Sequence, residues 1–286
     1  MNGLCLLLGY SRQAYYKQIT QTKQRLYQEQ VVLNAVQDIR KDLPKTGTIK
    51  LIRHCTARWQ QQGIKIGRDK TFKLLRENNL LLRRHKRSKP QTTWSKHWLH
   101  KYPDLVKGRS FSLPNELWVA DITYLPAAAG KWYYASLITD AVTKQVVGFN
   151  VSASLDAFST TKALEMAIKK NPDAQQTIHH SDRGIQYCSK AYVAKLEASN
   201  IQISMTETSL PTDNAIAERM NGILKNELIL PFGPILNLEH AKKVVAEAVK
   251  KHNGLRLHQH LDYTTPDDFC RSMTTSLSKS TNIVNQ

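Results

Sequence analysis

Three acidic side chains stand where acids are either costly to keep or well placed for chemistry. Asp121 is flanked by Val119, Ala120 and Ile122, a β-type run. A carboxylate amid such residues is costly to bury unless it is paired, hydrogen-bonded or bound to a cation. Asp182 lies just past a short β-type run, in His179-His180-Ser181-Asp182-Arg183-Gly184. Strand ends in open α/β sheets are where sites form. Glu218 falls in a segment of helical spacing. At about 100° per residue, Lys225 lies about 20° and Asn221 about 60° from Glu218, with Ile216, Ile223 and Leu224 on the other side. Three carboxylates from two strands and a helix would form a hard-oxygen site for Mg²⁺ or Mn²⁺. Two such ions, about 4 Å apart, can activate a water or a 3′-hydroxyl and stabilise the leaving oxygen of a phosphodiester. Lys225 would then grip a phosphate near the reacting bond. Taken singly, each acid reads as an ordinary surface or salt-bridged residue; their fit to one pattern of positions singles them out.

Other reactive residue types carry less. His179 and His180 read as one buried strand residue and one residue lining the site, rather than as metal ligands. Arg183 reads as ordering its turn or contacting DNA, and Asp140 as starting a turn. Ser181 and Cys188 lack the base and orienting group that a covalent nucleophile requires.

The elements that must position the acids follow from periodicity. Leu117–Leu125, Trp132–Thr139 and Gln145–Ser152 are β-rich runs separated by turn residues, and predict a three-stranded antiparallel meander. Then come a helix from Asp156 to Lys170, a strand Thr177–His180 and a helix Ser189–Ser199. A strand Ile201–Met205, a polar loop Thr206–Asp213 and a helix Asn214–Leu228 complete the set. The order βββαβαβα is that of a mixed sheet with helices on both faces.

Ahead of this core the chain is strongly basic. Residues 1–110 hold 24 Lys/Arg and 6 Asp/Glu, a net +18, whereas residues 111–286 hold 17 of each. A basic module joined to a neutral one implies a polyanion, nucleic acid above all, as partner. No basic amphipathic helix with an aromatic face points to a membrane. Gly9 separates a short apolar helix, Gly3–Leu8, from a second one begun by Ser11. This fragment starts almost at Met1, so a preceding helix is expected outside the reading frame. Thr22 would cap a further amphipathic helix to Arg40 whose apolar positions are Leu26, Val31, Val32, Ala35, Val36 and Ile39. Residues 48–84 predict a helix-turn-helix. Its first helix carries Ile49, Leu51, Ile52 and Trp59, and its turn runs from Gly63 to Gly67. Its second, Arg68–Asn78, packs Phe72, Leu74 and Leu75 and shows Arg68, Lys70, Lys73 and Arg76 to a major groove. Arg83, Arg84, Lys86, Arg87 and Lys89 extend the basic surface.

The expected domains are therefore 1–44, a helical segment with a partial helix-turn-helix; 45–90, the DNA-binding helix-turn-helix; 91–115, a linker with Trp94 and Trp98 as docking points; 116–270, the catalytic core with C-terminal helices; and 271–286, a flexible tail. No apolar run approaches the roughly 18 residues that span a bilayer. The stretch Leu4–Leu8 is too short for a signal peptide. Cys5, Cys55, Cys188 and Cys270 form no CxxC pair, which argues for a reducing cytoplasm and against a zinc module.

The local text resembles a known family. Asp182 and Glu218 have 35 residues between them, and Asp121 precedes both in a first strand. Around them stand Trp118-Val119-Ala120-Asp121-Ile122-Thr123-Tyr124, His180-Ser181-Asp182-Arg183-Gly184-Ile185-Gln186-Tyr187 and Asp213-Asn214-Ala215. Asn253, Arg256, His258, Leu261, Tyr263, Thr265 and Pro266 follow. Over roughly residues 45–270 this is similar to the DDE transposases with an RNase H-like integrase core, specifically the OrfB-type catalytic subunit of bacterial two-reading-frame insertion sequences. Ala120 and Ile185 are the departures, and neither touches the three acids.

The resemblance implies a mixed five-stranded sheet flanked by helices. It further implies metal-dependent cleavage at element ends and strand transfer by a freed 3′-hydroxyl, with no covalent protein–DNA intermediate. Asp121, Asp182 and Glu218 would be both catalytic and metal-binding, holding two Mg²⁺ or Mn²⁺ ions; Lys225 and Arg183 would join the basic residues named above on DNA. The implied partners are double-stranded DNA, as terminal inverted repeats and target, further copies of the chain on that DNA, and an upstream-frame product as fusion or partner. The implied location is cytoplasmic and nucleoid-associated. Two readings compete: a DNA-binding regulator without catalysis, which the intact acids disfavour, and a plain RNase H-like nuclease, which would need no sequence-reading module.

Overall fold

The computed structural model describes residues 9, 11–82, 97–172, 174, 176–207 and 214–284, without the side chains of 276–284. The chain divides into two compact units, Met1–His85 and Lys86–Gln286. The first unit is helical: α1 (Arg12–Asp42), α2 (Thr48–Gln61) and α3 (Arg68–Glu77). Ser11 caps α1 by accepting a hydrogen bond from the Ala14 N–H. The break expected at Thr22 does not occur. α1 runs through it without interruption, because Thr20, Thr22 and the intervening polar residues tolerate helix and no Gly or Pro stops it. Segments 1–44 and 45–90 share one core: Val32 and Ala35 of α1 pack with Cys55 and Trp59 of α2, Ile64 of the turn and Leu74 of α3. Val36, Leu51 and Leu75 form a second buried set among the same helices. Gly63 ends α2 with φ of +70°, a conformation that glycine adopts without strain. Phe72, expected inside, is only half-buried. The helix Gly3–Leu8 and the run Arg83, Arg84, Lys86, Arg87 and Lys89 lie outside the described residues.

The second unit is built on a five-stranded sheet: β1 (Leu117–Pro126), β2 (Trp132–Asp140), β3 (Val146–Ser152), β4 (Ile178–Ser181) and β5 (Gln202–Met205). Their order across the sheet is β3-β2-β1-β4-β5. β1, β2 and β3 pair antiparallel, while β4 and β5 join parallel to β1 and to each other. Three helices, α4 (Ala157–Lys170), α5 (Lys190–Ala198) and α6 (Ala215–Ile223), join the strands or follow them. Asp156 and Ser189 cap the first two through their side chains. Two further helices, α7 (Leu238–Gly254) and α8 (Pro266–Val284), complete the unit.

Period-two alternation in β1 splits its residues between two cores. Trp118 and Ala120 face a cluster with Ala163, Leu164 and Ala167 of α4 and Tyr192 and Leu196 of α5. Leu117 and Val119 face Ile178 and Ala217 of α6. Asp121 shares the parity of the second set, so the α6 face carries it.

Three sequence expectations change here. α6 does not continue as an α-helix to Leu228; from Leu224 to Ile229 the chain winds as a π-helix. Residues 271–284, expected as part of a flexible tail, instead continue the backbone helix of α8. Thr265 and Asp268 exchange capping hydrogen bonds at its start, and Pro266 occupies the first turn. Trp98 does not dock, being 86% exposed; Leu99 and Tyr102 nearby pack against the core instead, and Trp94 is not among the described residues.

Candidate active site

Strand register brings the first two acids together. β1 and β4 run parallel with Val119 beside His180 and Ala120 beside Ser181. The next residues in each chain are Asp121 and Asp182. Parallel neighbours in register point to one face about 4.8 Å apart. Two carboxylates therefore sit side by side at the point where β4 ends.

The surrounding groups fix their orientation. Asp121 Oδ1 accepts from the Ile122 N–H at 2.8 Å, and Oδ2 accepts from Asn221 Nδ2 at 2.7 Å. Asn214, one residue before α6, spends its amide on the Ala120 carbonyl at 3.0 Å rather than on capping its own helix. These two asparagines, two turns apart, hold α6 against β1. Asp182 Oδ1 accepts from the Gly184 N–H at 3.0 Å, closing a tight turn. A Cβ at Gly184 would stand 2.9 Å from that same oxygen, so a side chain there would displace the Asp182 carboxylate. The Arg183 carbonyl accepts from His97 Nε2 at 2.7 Å.

The electrostatics mark a site of crowded negative charge. Burial, then the charges of Asp182 and Glu218, push the Asp121 carboxyl up to about 7, against the hydrogen bonds from Ile122 and Asn221. Burial also raises Glu218. Tyr124 and Tyr187 are raised by burial first, and both feel the charges of Asp121 and Asp182.

The structure places each predicted residue as follows. Glu218 sits on α6 one turn before Asn221, exposed, and its charge reaches Asp121 more weakly than that of Asp182 does. Among the described residues, no three His, Cys, Asp or Glu side chains stand together as a ready metal cage. Asp121 and Asp182 form the pair, and Glu218 borders it. Lys225 is half-buried, its ammonium lowered by burial. It lies in the π-helical turn, so a spacing of 100° per residue holds only up to its entrance. Arg183 is half-buried in the Asp182 turn. His179 and His180 are both buried; His179 meets the Tyr192 hydroxyl at 2.8 Å and His180 the Ser204 hydroxyl at 2.9 Å. Asp140 ends β2 and starts the turn that follows, its Oδ1 accepting from the Val142 and Thr143 N–H groups. In the first unit, Arg68, Lys70, Lys73 and Arg76 are all exposed on α3. Arg68 lies 5.8 Å from the Phe72 ring centroid, and Lys73 pairs loosely with Glu77 at 3.9 Å.

Sequence reasoning missed the roles of Asn214, Asn221 and Gly184. A signal existed for Asn221, whose helical azimuth is close to that of Glu218. Nothing along the chain showed that it would meet Asp121, 100 residues away.

Two family models, each described as an integrase core domain, match residues 112–211 and 199–266. The 31 kDa protein of insertion element IS600 from Shigella sonnei is 31% identical over 269 residues, covering 93% of this chain and 97% of that relative. The transposase of insertion sequence element IS904 from Lactococcus lactis is 31% identical over 54% of this chain and 61% of its own length. Transposase InsF of IS3A from Escherichia coli is 37% identical over 41% of this chain and 40% of its own length. Among solved structures, the fold is similar to that of the simian T-cell lymphotropic virus intasome bound to a PP2A regulatory subunit. That match has a TM-score of 0.50 at 18% identity and covers 79% of this chain and 70% of the other.

Proposed function

The chain belongs to the integrase-core transposases of insertion elements, and on that premise we propose that Asp121, Asp182 and Glu218 form its catalytic centre, cutting DNA at element ends and joining the freed 3′-hydroxyl to another strand. The observation that carries this reading is the β1–β4 register, which sets Asp121 beside Asp182 on the face that α6 covers. A divalent cation fits the donors present: two adjacent carboxylates, one held near neutrality by burial and by the other's charge, with a third bordering them. Asp121, Asp182 and Glu218 would hold two Mg²⁺ or Mn²⁺ ions, which when bound activate the attacking oxygen and stabilise the leaving one.

The chain's own residues do the remaining work. Asn221 holds Asp121 in one rotamer while leaving each oxygen further acceptor capacity. Gly184 keeps the Asp182 turn closed. Lys225 supplies a cation for a phosphate next to the reacting one, and Arg183 a second from the turn. In the first unit, α2, its turn and α3 act as a helix-turn-helix, with Arg68, Lys70, Lys73 and Arg76 on the DNA side. Further copies of the chain assemble on that DNA.

Asp121→Ala, Asp182→Ala and Glu218→Ala should each abolish end cleavage and strand transfer in Mg²⁺ while leaving gel-shift affinity for duplex DNA largely intact. Retained cleavage in any one of them would remove that residue from the site.

A further inference from the structure

Asn253, Arg256 and His258 form a polar group that the acids do not use, and all three are buried. The Asn253 amide meets both the N–H and the carbonyl of Val146, each at 3.0 Å, and so rivets the end of α7 to the start of β3. The neighbouring His252 Nε2 donates to the Lys144 carbonyl at 2.9 Å. From this anchored end Arg256 reaches the π-helical turn that follows α6. Its Nε and Nη2 donate to the two carboxylate oxygens of Glu227 at 2.9 and 3.0 Å. Its Nη1 donates to His258 Nε2 at 3.1 Å, which makes that ring nitrogen an acceptor. The Arg256 side chain is only 8% exposed.

A π turn within an α-helix is uncommon, and such turns recur at functional sites. One persists only where its surroundings over-determine it. Here Leu224, Leu228 and Ile229 are buried on one side and the bidentate pair holds the other. Lys225 lies two residues before Glu227 in this turn, and makes no ion pair among the described residues. Bonding from i to i+5 turns the chain by less than 100° per residue. Lys225 therefore swings away from the line of Glu218 and towards that of Asn221, the residue that touches Asp121.

We propose that the Glu227–Arg256 pair is a positioning clamp: it holds the π turn so that Lys225 meets a DNA phosphate beside Asp121, and Arg256 acts on the reaction only through Lys225. This rests on the reading of Lys225 as a phosphate ligand. Arg256→Lys keeps the charge but loses the fork that grips both carboxylate oxygens.

The test uses the full chain, a short duplex carrying the element's own terminal sequence, and saturating Mg²⁺. Four variants are compared: Lys225→Ala, Arg256→Lys, Glu227→Gln, and Lys225→Ala combined with Arg256→Lys. Lys225→Ala and Arg256→Lys should each flatten the log–log salt dependence of binding by about one unit, as expected when one phosphate fewer is neutralised. The double variant should be no worse than Lys225→Ala alone, in KM and in slope. An Arg256→Lys effect that adds in full to that of Lys225→Ala overturns the clamp. So does an unchanged slope in Arg256→Lys when Lys225→Ala has flattened it. An unchanged slope in Lys225→Ala itself refutes the underlying reading of Lys225, and the clamp with it. If Arg256→Lys melts below the assay temperature, Glu227→Gln carries the same comparison, since it keeps the shape of the pair.

Discussion

Asp121 holds a position that works against the fold. Its carboxyl is raised to about 7 from an ordinary value of 3.8, so between those limits the folded chain binds a proton that the unfolded chain has lost. Where the native state holds more protons, stability falls as pH rises. This residue therefore costs nothing at pH below about 4, and its full penalty is present above about 7. Asp121→Asn keeps the shape of the side chain and removes the charge. In EDTA, the variant should be more stable than the parent at pH 8 by up to a few kcal/mol, and melt at a higher temperature, because each tenfold change in proton affinity is worth about 1.4 kcal/mol. The difference should vanish near pH 4. Melting curves across that range test it, and a variant no more stable than the parent at pH 8 would show that burial and the neighbouring acids put no strain on Asp121. The same conflict makes the site receptive to a cation, since a bound divalent ion would relieve the repulsion that Asp182 and Glu218 impose.

At the scale of elements, the sheet sets the acids and the helices lock the sheet. β3 approaches α4 so closely that Gly148 has no room for a side chain. A Cβ there would stand 2.2 Å from the Ala163 carbonyl oxygen and 2.9 Å from the Ala167 Cβ. Gly148→Ala should push α4 off the sheet and destabilise the second unit by about 1–3 kcal/mol, the usual cost of overpacking. Urea unfolding followed by tryptophan fluorescence measures this, and an unchanged midpoint would contradict so close an approach. The first unit depends on packing in the same way. α1 extends about 46 Å at 1.5 Å per residue, yet buries only Val32, Ala35 and Val36, all near its C-terminal half. Those residues meet α2 and α3, which fixes the basic face of α3 outward.

At the scale of the whole molecule, charge is spread unevenly along the chain. The +18 excess lies within residues 1–110, while residues 111–286 carry none and hold the acids. Affinity for DNA should come largely from the basic half and fall steeply with salt. The exposed Lys73–Glu77 pair at 3.9 Å is too weak to withhold Lys73 from a phosphate. Replacing Lys73 and Arg76 together by Ala should flatten the log–log salt slope by up to about two units, roughly 0.9 for each phosphate no longer neutralised. It should leave the cleavage rate at saturating DNA unchanged. An unaltered slope would show that this face of α3 is merely solvated.

The order of strands and helices is legible along the chain, since period-two and period-3.6 patterns are local. The sequence also singled out Asp121, Asp182 and Glu218, whose residue types and spacing are written along the chain. A start signal is present for α8 as well, although its polar composition suggests a tail: Thr265-Pro266 with Asp268 begins the helix by local capping alone. Three features were decided only in the folded chain. The adjacency of Asp121 and Asp182 depends on which strands pair and in what register, a juxtaposition across 61 residues that no local rule contains. The hydrogen bond from Asn221 to Asp121 exists only because α6 packs on that face of β1. The π turn beneath Lys225 runs against the α-helical spacing of its own residues. It is maintained by a buried arginine 29 positions after Glu227, and such tertiary interactions outweigh the modest energies of local helix propensity.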